Sequence, residues 1–566
     1  MNAIKRSFSK LQKPTNKSVP QGYKLLTEGS AQVLYYHNKD NMHNSQWDMK
    51  VPTNLITNHK KLKKLTRKEK NEARDTVFYN PAQEFNRDLS IMCISEYGKQ
   101  LQERRELKDC WKGLKILEAL AATGLRSCRY MKEISVDVWK ILSNDWDPTA
   151  AELIKKNFEY NDIDKNKTEI TAIDAIDLMY ERRKLKDLYD VIDLDPYGTA
   201  LPFLDSSIQA MKDGGLLCAT FTDTAVLCTS KPHICYYKYD SVTTHQEHCH
   251  EFALRMVLHT IATIANRYQK QIFPMLSLTA DFYIRLFVRV GSEDESVLHC
   301  HDSVVNTSYV FQCTQCQNFH LHKIGRSRGA NTKHKKNITS EEQSQRDRHH
   351  DTKFSLNPLT IPSKCEVCDS SMVIGGPIWT GEIHDSEFIE FLLKRSDDWK
   401  HLATYERIKK TIKGIQKEME IGNYPLSMNY NQICSRIRAS SIAKKHIYAA
   451  FYSLGYNIVQ TYYNPYLYKT DAPHKTVYDI FKAWKVKSLE GTKRSLLDNC
   501  SNIAKVILNK PLEINPDFEY NLSQIEADLK KNRVRYSRNP PGWGPGTRAT
   551  SHPRSQNHQS GVNEVK

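Results

Sequence analysis

The stretch "VIDLDPYGTA" (191–200) carries an apolar run into two carboxylates, a proline and a tyrosine. Proline fixes the direction of the chain, so the Asp195 carboxylate and the neighbouring carbonyl are aimed at one place, and the Tyr197 ring supplies a flat face beside them. A carboxylate held in this way can take a proton from a nucleophile, and the aromatic face can stack on a planar ring. The plain alternative is a strand-end turn without chemistry, because Asp-Pro is a common turn dipeptide. Asp193, two residues earlier, points to the same strand face and is read as structural support.

Acids also end other apolar runs. "ILEALAATGLRS" (116–127) places Glu118 at the end of one, followed by Ala119, Ala121, Ala122 and Gly124, whose small side chains let a ligand approach the backbone. The G-x-G-x-x-G spacing of a dinucleotide site is absent here. S-adenosylmethionine fits better, since it has no pyrophosphate to cradle but presents a ribose and an adenine to later strand ends. Asp145 closes "VWKILSND", where a carboxylate can take both ribose hydroxyls. Asp174, with Ala175, closes "TEITAID", where an acid can accept from the adenine amine. For any one of these acids a helix N-cap is the alternative. Arg126 is either a surface helix residue or a bidentate partner for the methionine carboxylate. Upstream, "TVFYNPAQEFNRDLS" (76–90) reads as a loop entering an amphipathic helix, with Phe78 in the core. Its functional reading puts Phe78 opposite Tyr197 in a base sandwich and closes Arg87 over the cofactor.

Two pairs, Cys313-x2-Cys316 and Cys365-x2-Cys368, have knuckle spacing and suit a structural zinc site with four cysteine ligands, the polar insertion between them accounting for the long gap. "HQEHCHE" (245–251) is read as the opening of an amphipathic helix rather than as a metal site.

These residues need elements to hold them. Between about 114 and 290 short apolar runs alternate with amphipathic stretches such as "TAAELIKKNFEYN" (149–161) and "FLDSSIQAMKDGG" (203–215), the latter read as a helix closed by Gly214 and Gly215. This cadence predicts a Rossmann-like α/β domain, a mainly parallel doubly wound sheet with ligands at the carboxyl ends of its strands. The division expected is a basic N-terminal extension over 1–75, a catalytic domain over 76–300 and a zinc-binding segment over 301–379 with a disordered insertion at 321–360. A second, mostly helical α+β domain follows over 380–510, then a basic flexible tail over 511–566.

The chain has 566 residues with Lys plus Arg at 82 against Asp plus Glu at 65, a net charge of +17 that suits a polyanionic partner such as nucleic acid. No run reaches the roughly 18 to 20 apolar residues of a membrane span. The fourteen cysteines follow a start without an apolar signal core, so disulfides are not expected. The acid-free start suits a mitochondrial transit segment, and "HKKLKKLTRKEK" (59–70) suits a nuclear signal. Nothing in the sequence points to an obligate protein partner.

The Asp-Pro-aromatic turn resembles the D/N-P-P-Y/F motif of methyltransferases that act on exocyclic amines of bases. The whole sequence, from about 76 to 549, resembles the tRNA guanine N2-dimethyltransferase family through "FYNPAQEFNRDLS", "LEALAATGLRSCRY", "VIDLDPYGTALPFLD", "TADFYIRLFVRV", "GGPIWTGEIHD" and "NPPGWGPGTRA". The resemblance implies a class I methyltransferase domain, a family-specific C-terminal tRNA-binding domain, and two methyl transfers to N2 of guanine 26 in tRNA. It also implies that Arg87, Arg126, Asp145, Asp174 and Ala175 bind S-adenosylmethionine, that Asp195 is catalytic, and that Phe78 and Tyr197 hold the base. Zinc on the four cysteines is then structural. Rival readings are a catalytically silent zinc-containing RNA-binding protein and an adenine-N6 methyltransferase.

Overall fold

A computed structural model describes residues 17–36, 79–106, 111–228, 231–244, 246–292, 303–328, 353–491 and 495–531. Phe78, the start at 1–16, the basic run 59–70, residues 329–352 of the insertion and "NPPGWGPGTRA" (539–549) lie outside them.

Seven strands build the central sheet: β3 (Leu114–Glu118), β4 (Val138–Asn144), β5 (Thr168–Thr171), β6 (Tyr189–Leu194), β7 (Met211–Phe221), β8 (Gln271–Ala280) and β9 (Tyr283–Gly291). Their order is β5-β4-β3-β6-β7-β9-β8, with β5 to β7 parallel and β9 antiparallel to both its neighbours. This is the doubly wound sheet expected. Its order reverses between β3 and β6, which places a crevice where Glu118 and Asp193 end adjacent strands.

Both faces of the sheet are covered, which is why the strand sequences are almost continuously apolar. Leu117, Leu142, Ile192 and Leu217 pack against the helices Leu201–Ala210 and Cys249–Asn266. Their neighbours Ile116, Ile141, Val191 and Leu216 face the long helix Glu84–Glu106. The helix predicted over 203–215 ends at Ala210, and Met211 already pairs with Tyr189 as the first residue of β7. Buried β7 pairing overrides the helical pattern there.

Two arrangements differ from a reading by sequence blocks. Helices Ser386–Lys394 and Tyr405–Met419 share one core with helix Glu84–Glu106 through Phe388, Leu392, Tyr405 and Ile408, so position 380 is not a gap between cores. Thr404 fixes this contact by donating through N and Oγ1 to Asp88 Oδ2 at 2.9 and 2.7 Å. The N-terminal region, in turn, contains a hairpin of β1 (Tyr23–Glu28) and β2 (Ala31–Tyr36). Asn157 and Asn161, one turn apart on helix Pro148–Tyr160 and its C-cap, act as surrogate strand partners for β2. Asn157 Oδ1 accepts from Leu34 N at 2.6 Å and Asn161 Oδ1 from Gln32 N at 2.9 Å, while their amide nitrogens return bonds to the same two carbonyls. The hairpin turns at Gly29, with φ 56°, where a Cβ would lie 2.4 Å from Glu133 Oε1.

That close approach delivers Glu28 into a buried ionic cluster. Arg129 Nη1 reaches Glu28 at 2.8 Å, and its Nη2 reaches Asp88 and Glu133 at 2.7 Å each. Arg87 holds the other side of Glu28 with Nε at 2.6 Å. Burial pushes the Glu28 carboxyl up, but Arg87 and Arg129 outweigh it and hold the pKa at about 2. The stability contributed by its ionisation is therefore fully present above about pH 4.5 and lost as pH falls toward about 2. Unfolding free energies of the wild type and Glu28→Gln from urea titrations should differ most at neutral pH, by roughly 3 kcal/mol, and converge on acidification through this window.

The second lobe begins with β10 (Thr307–Cys313), which pairs antiparallel with β11 (Phe319–Lys323) and β14 (Met372–Trp379). Inside the span expected to be disordered, β12 (Gly325–Arg328) pairs with β13 (Lys353–Leu356). From Ser386 to Lys531 the described residues are mostly helical around a small sheet of β15 (Met428–Asn429), β16 (Ile458–Gln460) and β17 (Leu467–Thr470). No helix among the described residues is long and apolar enough to cross a membrane.

Candidate active site and thiolate cluster

Asp195 follows β6 directly, on the turn whose shape Gly198 completes with φ 83°. Gly198 N donates to Thr222 Oγ1 at 2.9 Å, and Gly198 O accepts from Thr222 N and Asp223 N at 2.6 and 3.1 Å. The turn is thus pinned to the end of β7. Its far side is held by Tyr239, whose hydroxyl meets Thr199 Oγ1 at 2.9 Å and Asp223 Oδ1 at 2.7 Å. The Asp195 side chain remains 21% exposed, open enough for a substrate and largely enclosed by protein.

Two guanidinium groups and one hydroxyl set its charge state. Arg126 Nη2 pairs with Asp195 Oδ2, and Arg126 Nη1 lies 3.6 Å from Asp193 Oδ2. Arg285, fully buried on β9, donates to Asp193 Oδ1 at 2.9 Å, to Thr220 Oγ1 at 2.9 Å and to Ser90 Oγ at 2.8 Å. Burial pushes the Asp195 carboxyl up, yet Arg126, Arg285 and a hydrogen bond from Thr220 hold it below the usual carboxylate range. It is therefore ionised at neutral pH, the form that accepts a proton. Asp193 is wholly buried under Arg285 and the Tyr130 hydroxyl, a structural acid in this arrangement.

On the adjacent strand end, Glu118 accepts from Ser127 N at 2.9 Å, and burial, outweighing Ser127 and Arg126, raises its pKa to about 8. The loop that follows crosses in a left-handed turn at Ala122, φ 49°, and Gly124, φ 73°. Asp145 receives Ala122 N on Oδ2 at 2.8 Å and Asp147 N on Oδ1 at 3.1 Å. The Trp146 backbone N–H also bonds this carboxylate, so of its roughly four acceptor positions about one stays open for a hydroxyl group. Asn144 fixes where Asp145 emerges, because its amide nitrogen bonds both Ala119 O and Ile173 O, at 3.1 and 3.0 Å.

Asp174 N-caps the helix Ala175–Lys184, with Oδ1 accepting from Ile176 N at 2.7 Å. It is exposed, so the capping carboxylate still presents Oδ2 outward. Trp146 is 79% exposed immediately after Asp145, and Ile173 is exposed immediately before Asp174. Two exposed apolar side chains beside two strand-end acids suit a flat aromatic ligand. Tyr197, 74% exposed, stands beyond Asp195 on the same edge of the sheet.

Arg126, Asp145, Asp174, Ala175, Asp195 and Tyr197 follow the carboxyl ends of β3, β4, β5 and β6, Arg87 lies on the helix Glu84–Glu106, Phe78 falls outside the described residues, and two of the arginines are already engaged. Arg126 is committed to Asp195 and Asp193, and Arg87 to Glu28 and Asn80 O. Arg285, Thr220, Asn144 and Glu28 escaped the sequence reading. Two arginines four residues apart in the otherwise apolar "YIRLFVRV" were the available signal for Arg285, and a polar pair closing an apolar strand was the signal for Asn144.

Cys313, Cys316, Cys365 and Cys368 are all buried, and their sulfurs lie within 4.8 Å of one another. Cys313 and Cys368 approach to 3.4 Å, and Cys316 and Cys365 to 3.5 Å. A tetrahedron with metal–sulfur bonds of about 2.3 Å has edges of about 3.8 Å, so the donor set fits zinc. Backbone N–H groups of Gln315 and Cys316 point at Cys313 Sγ at 3.4 Å, and Asn318 Nδ2 points at Cys365 Sγ at 3.4 Å, as donors to thiolates do.

Comparison with known proteins places this arrangement. The family described as "N2,N2-dimethylguanosine tRNA methyltransferase" matches residues 57–482. The tRNA (guanine(26)-N(2))-dimethyltransferase of Drosophila melanogaster is 35% identical over 512 residues, covering 84% of each chain. The human enzyme of that name is 31% identical and covers 84% of this chain and 75% of its own. A Saccharomyces cerevisiae relative, named as the mitochondrial enzyme, is 31% identical and covers 84% of this chain and 90% of its own. In fold, the chain is similar to Trm1 from Pyrococcus horikoshii, solved with S-adenosyl-L-methionine, at a TM-score of 0.57 and 23% identity over 81% of this chain and 98% of that one.

Proposed function

This chain belongs to the N2,N2-dimethylguanosine tRNA methyltransferase family, and from that premise we propose that it transfers two methyl groups from S-adenosylmethionine to N2 of guanine 26 in tRNA, with Asp195 as the catalytic carboxylate. The observation that carries the assignment of Asp195 is an ionised, partly open acid on a pinned Asp-Pro-Tyr turn at the switch point of the sheet.

The residues divide the work by position. Asp145 offers its remaining acceptor position to the ribose, and Asp174 with the Ala175 backbone meets the adenine edge between Trp146 and Ile173. Arg126 has five donors and can meet the methionine carboxylate while keeping one bond to Asp195. Arg87 shapes the cofactor pocket from its pair with Glu28. The cofactor supplies an electrophilic sulfonium methyl.

Phe78 and Tyr197 hold the guanine ring. The exocyclic amine is a poor nucleophile because its lone pair is delocalised into the ring. Asp195 and the turn carbonyl accept its hydrogens, which favours a pyramidal nitrogen. The nitrogen then forms the N–C bond as the donor's C–S bond breaks, and its proton passes to Asp195 and on to solvent. The monomethylated amine keeps one hydrogen for Asp195 to accept in a second round. The dimethylated amine has none, so the reaction stops there.

The basic chain suits tRNA as partner, and the zinc held by the four cysteines is structural. The yeast relative's mitochondrial name and the basic start support delivery to mitochondria, and the run at 59–70 supports the nucleus as a second compartment. The test incubates the protein with labelled S-adenosylmethionine and undermodified tRNA and digests the RNA to nucleosides. N2,N2-dimethylguanosine is the expected product. N6-methyladenosine, or no product from folded, cofactor-binding protein, would overturn the reading.

Tyr197→Ala removes a stacking face worth roughly 1 to 3 kcal/mol, so kcat/KM for tRNA should fall about 5- to 150-fold, with thermal stability unchanged because the ring is exposed. Cys365→Ser should remove one zinc equivalent per chain and lower the melting temperature, read by elemental analysis and scanning calorimetry.

A further inference from the structure

Cys228 caps the short helix Thr224–Leu227 that follows β7, and Cys249 and His250 open the helix Cys249–Asn266. The two sulfurs and an imidazole nitrogen all lie within 4.8 Å of one another, with Cys228 Sγ 3.7 Å from His250 Nδ1. A zinc tetrahedron with bonds of about 2.3 Å to sulfur and about 2.0 Å to nitrogen sets S···N near 3.5 Å and S···S near 3.8 Å. The 3.7 Å contact is close to that S···N edge, and the Cys249 sulfur lies within 4.8 Å of both other atoms. All three residues are half-buried, shielded from bulk solvent yet reachable by an ion.

Cys249 is the first residue of an 18-residue helix, where the N-terminal end of the macrodipole favours a thiolate. A hydrogen-bonded thiol is the competing account of these contacts, since Cys228 Sγ also lies 3.6 Å from Cys249 O. That account leaves unexplained why a second thiol and an imidazole converge on the same point.

We infer that Cys228, Cys249 and His250 form a second metal site, separate from the four-cysteine cluster, that binds a zinc-class divalent ion through two thiolates and one imidazole. Three protein ligands leave a fourth position for solvent or a small ligand. The ion ties the segment after Asp223 to the head of a core helix. Because Asp223 accepts from Tyr239, which in turn meets Thr199, the site braces the catalytic turn from behind.

Zinc per chain, measured by elemental analysis on full-length protein purified with reductant, tests this. The wild type should hold two equivalents, C228S/C249S one, and C365S/C368S one. A zinc content that C228S/C249S leaves at the wild-type value overturns the site. Alkylation of the wild type gives a readout independent of variant folding. Cys228 and Cys249 should resist N-ethylmaleimide in the zinc-loaded protein and become reactive as a chelator removes one equivalent. Equal labelling with and without zinc, or a Cys228–Cys249 disulfide at unchanged zinc content, contradicts the proposal.

Discussion

Asp195→Asn is expected to lower methyl transfer by about 10²- to 10⁴-fold, the usual contribution of a positioned general base, while S-adenosylmethionine affinity stays level or tightens. The amide preserves the shape of the carboxylate and removes its ability to take a proton. The second half of the prediction comes from the ion pair: Arg126 Nη2 is held by Asp195, so neutralising residue 195 frees that guanidinium for the cofactor's carboxylate. Single-turnover rates with saturating tRNA, beside calorimetric cofactor binding, separate the two effects. Retained turnover, or a collapse of cofactor binding parallel to that of the rate, contradicts the assignment.

Arg129→Met should cost about 3 to 5 kcal/mol of stability, the penalty for removing one partner of a buried ionic cluster. Arg129 is 1% exposed and pairs with Glu28, Asp88 and Glu133 at once. Arg87 continues to neutralise Glu28 in the variant, but Asp88 loses its guanidinium and Glu133 its only ion-pair partner among the described residues. Arg129→Lys should recover little, because a single ammonium cannot reproduce a planar fork across three carboxylates. A loss below about 1 kcal/mol in urea unfolding would show that the cluster is hydrated and loose, against the burial described.

The ends of β3, β4 and β6 were legible in the sequence because each follows an apolar run with a polar or acidic residue, a pattern that buried parallel strands impose locally, whereas β5, TEIT, is only half-buried and was legible by its place in the cadence. Asp145, Asp174 and Asp195 could be found that way, and the cysteine pairs by their spacing. What joins them was not legible. Arg285 lies 92 residues from the Asp193 it neutralises, and Glu28 lies 101 residues from Arg129. No local periodicity encodes such partners; they follow from which strands become neighbours. The same reason hid the shared core of Phe388 and helix Glu84–Glu106, where an amphipathic helix announces an apolar face without naming its partner. "HQEHCHE" showed its helix, but the thiol that completes a ligand set comes from Cys228, outside that motif. The N-cap alternative for Asp174 also holds in the folded chain, since one oxygen caps the helix and the other faces outward.

If the Asp195 turn methylates the exocyclic amine of one guanine, paired tRNA transcripts with guanine or hypoxanthine at position 26 must behave differently, because the two bases differ only in that amine. The guanine transcript should gain two methyl groups, recovered by mass spectrometry as N2,N2-dimethylguanosine at position 26, and the hypoxanthine transcript none. Methyl incorporation into the hypoxanthine transcript, or at any other position of the guanine transcript, would contradict this role of the turn.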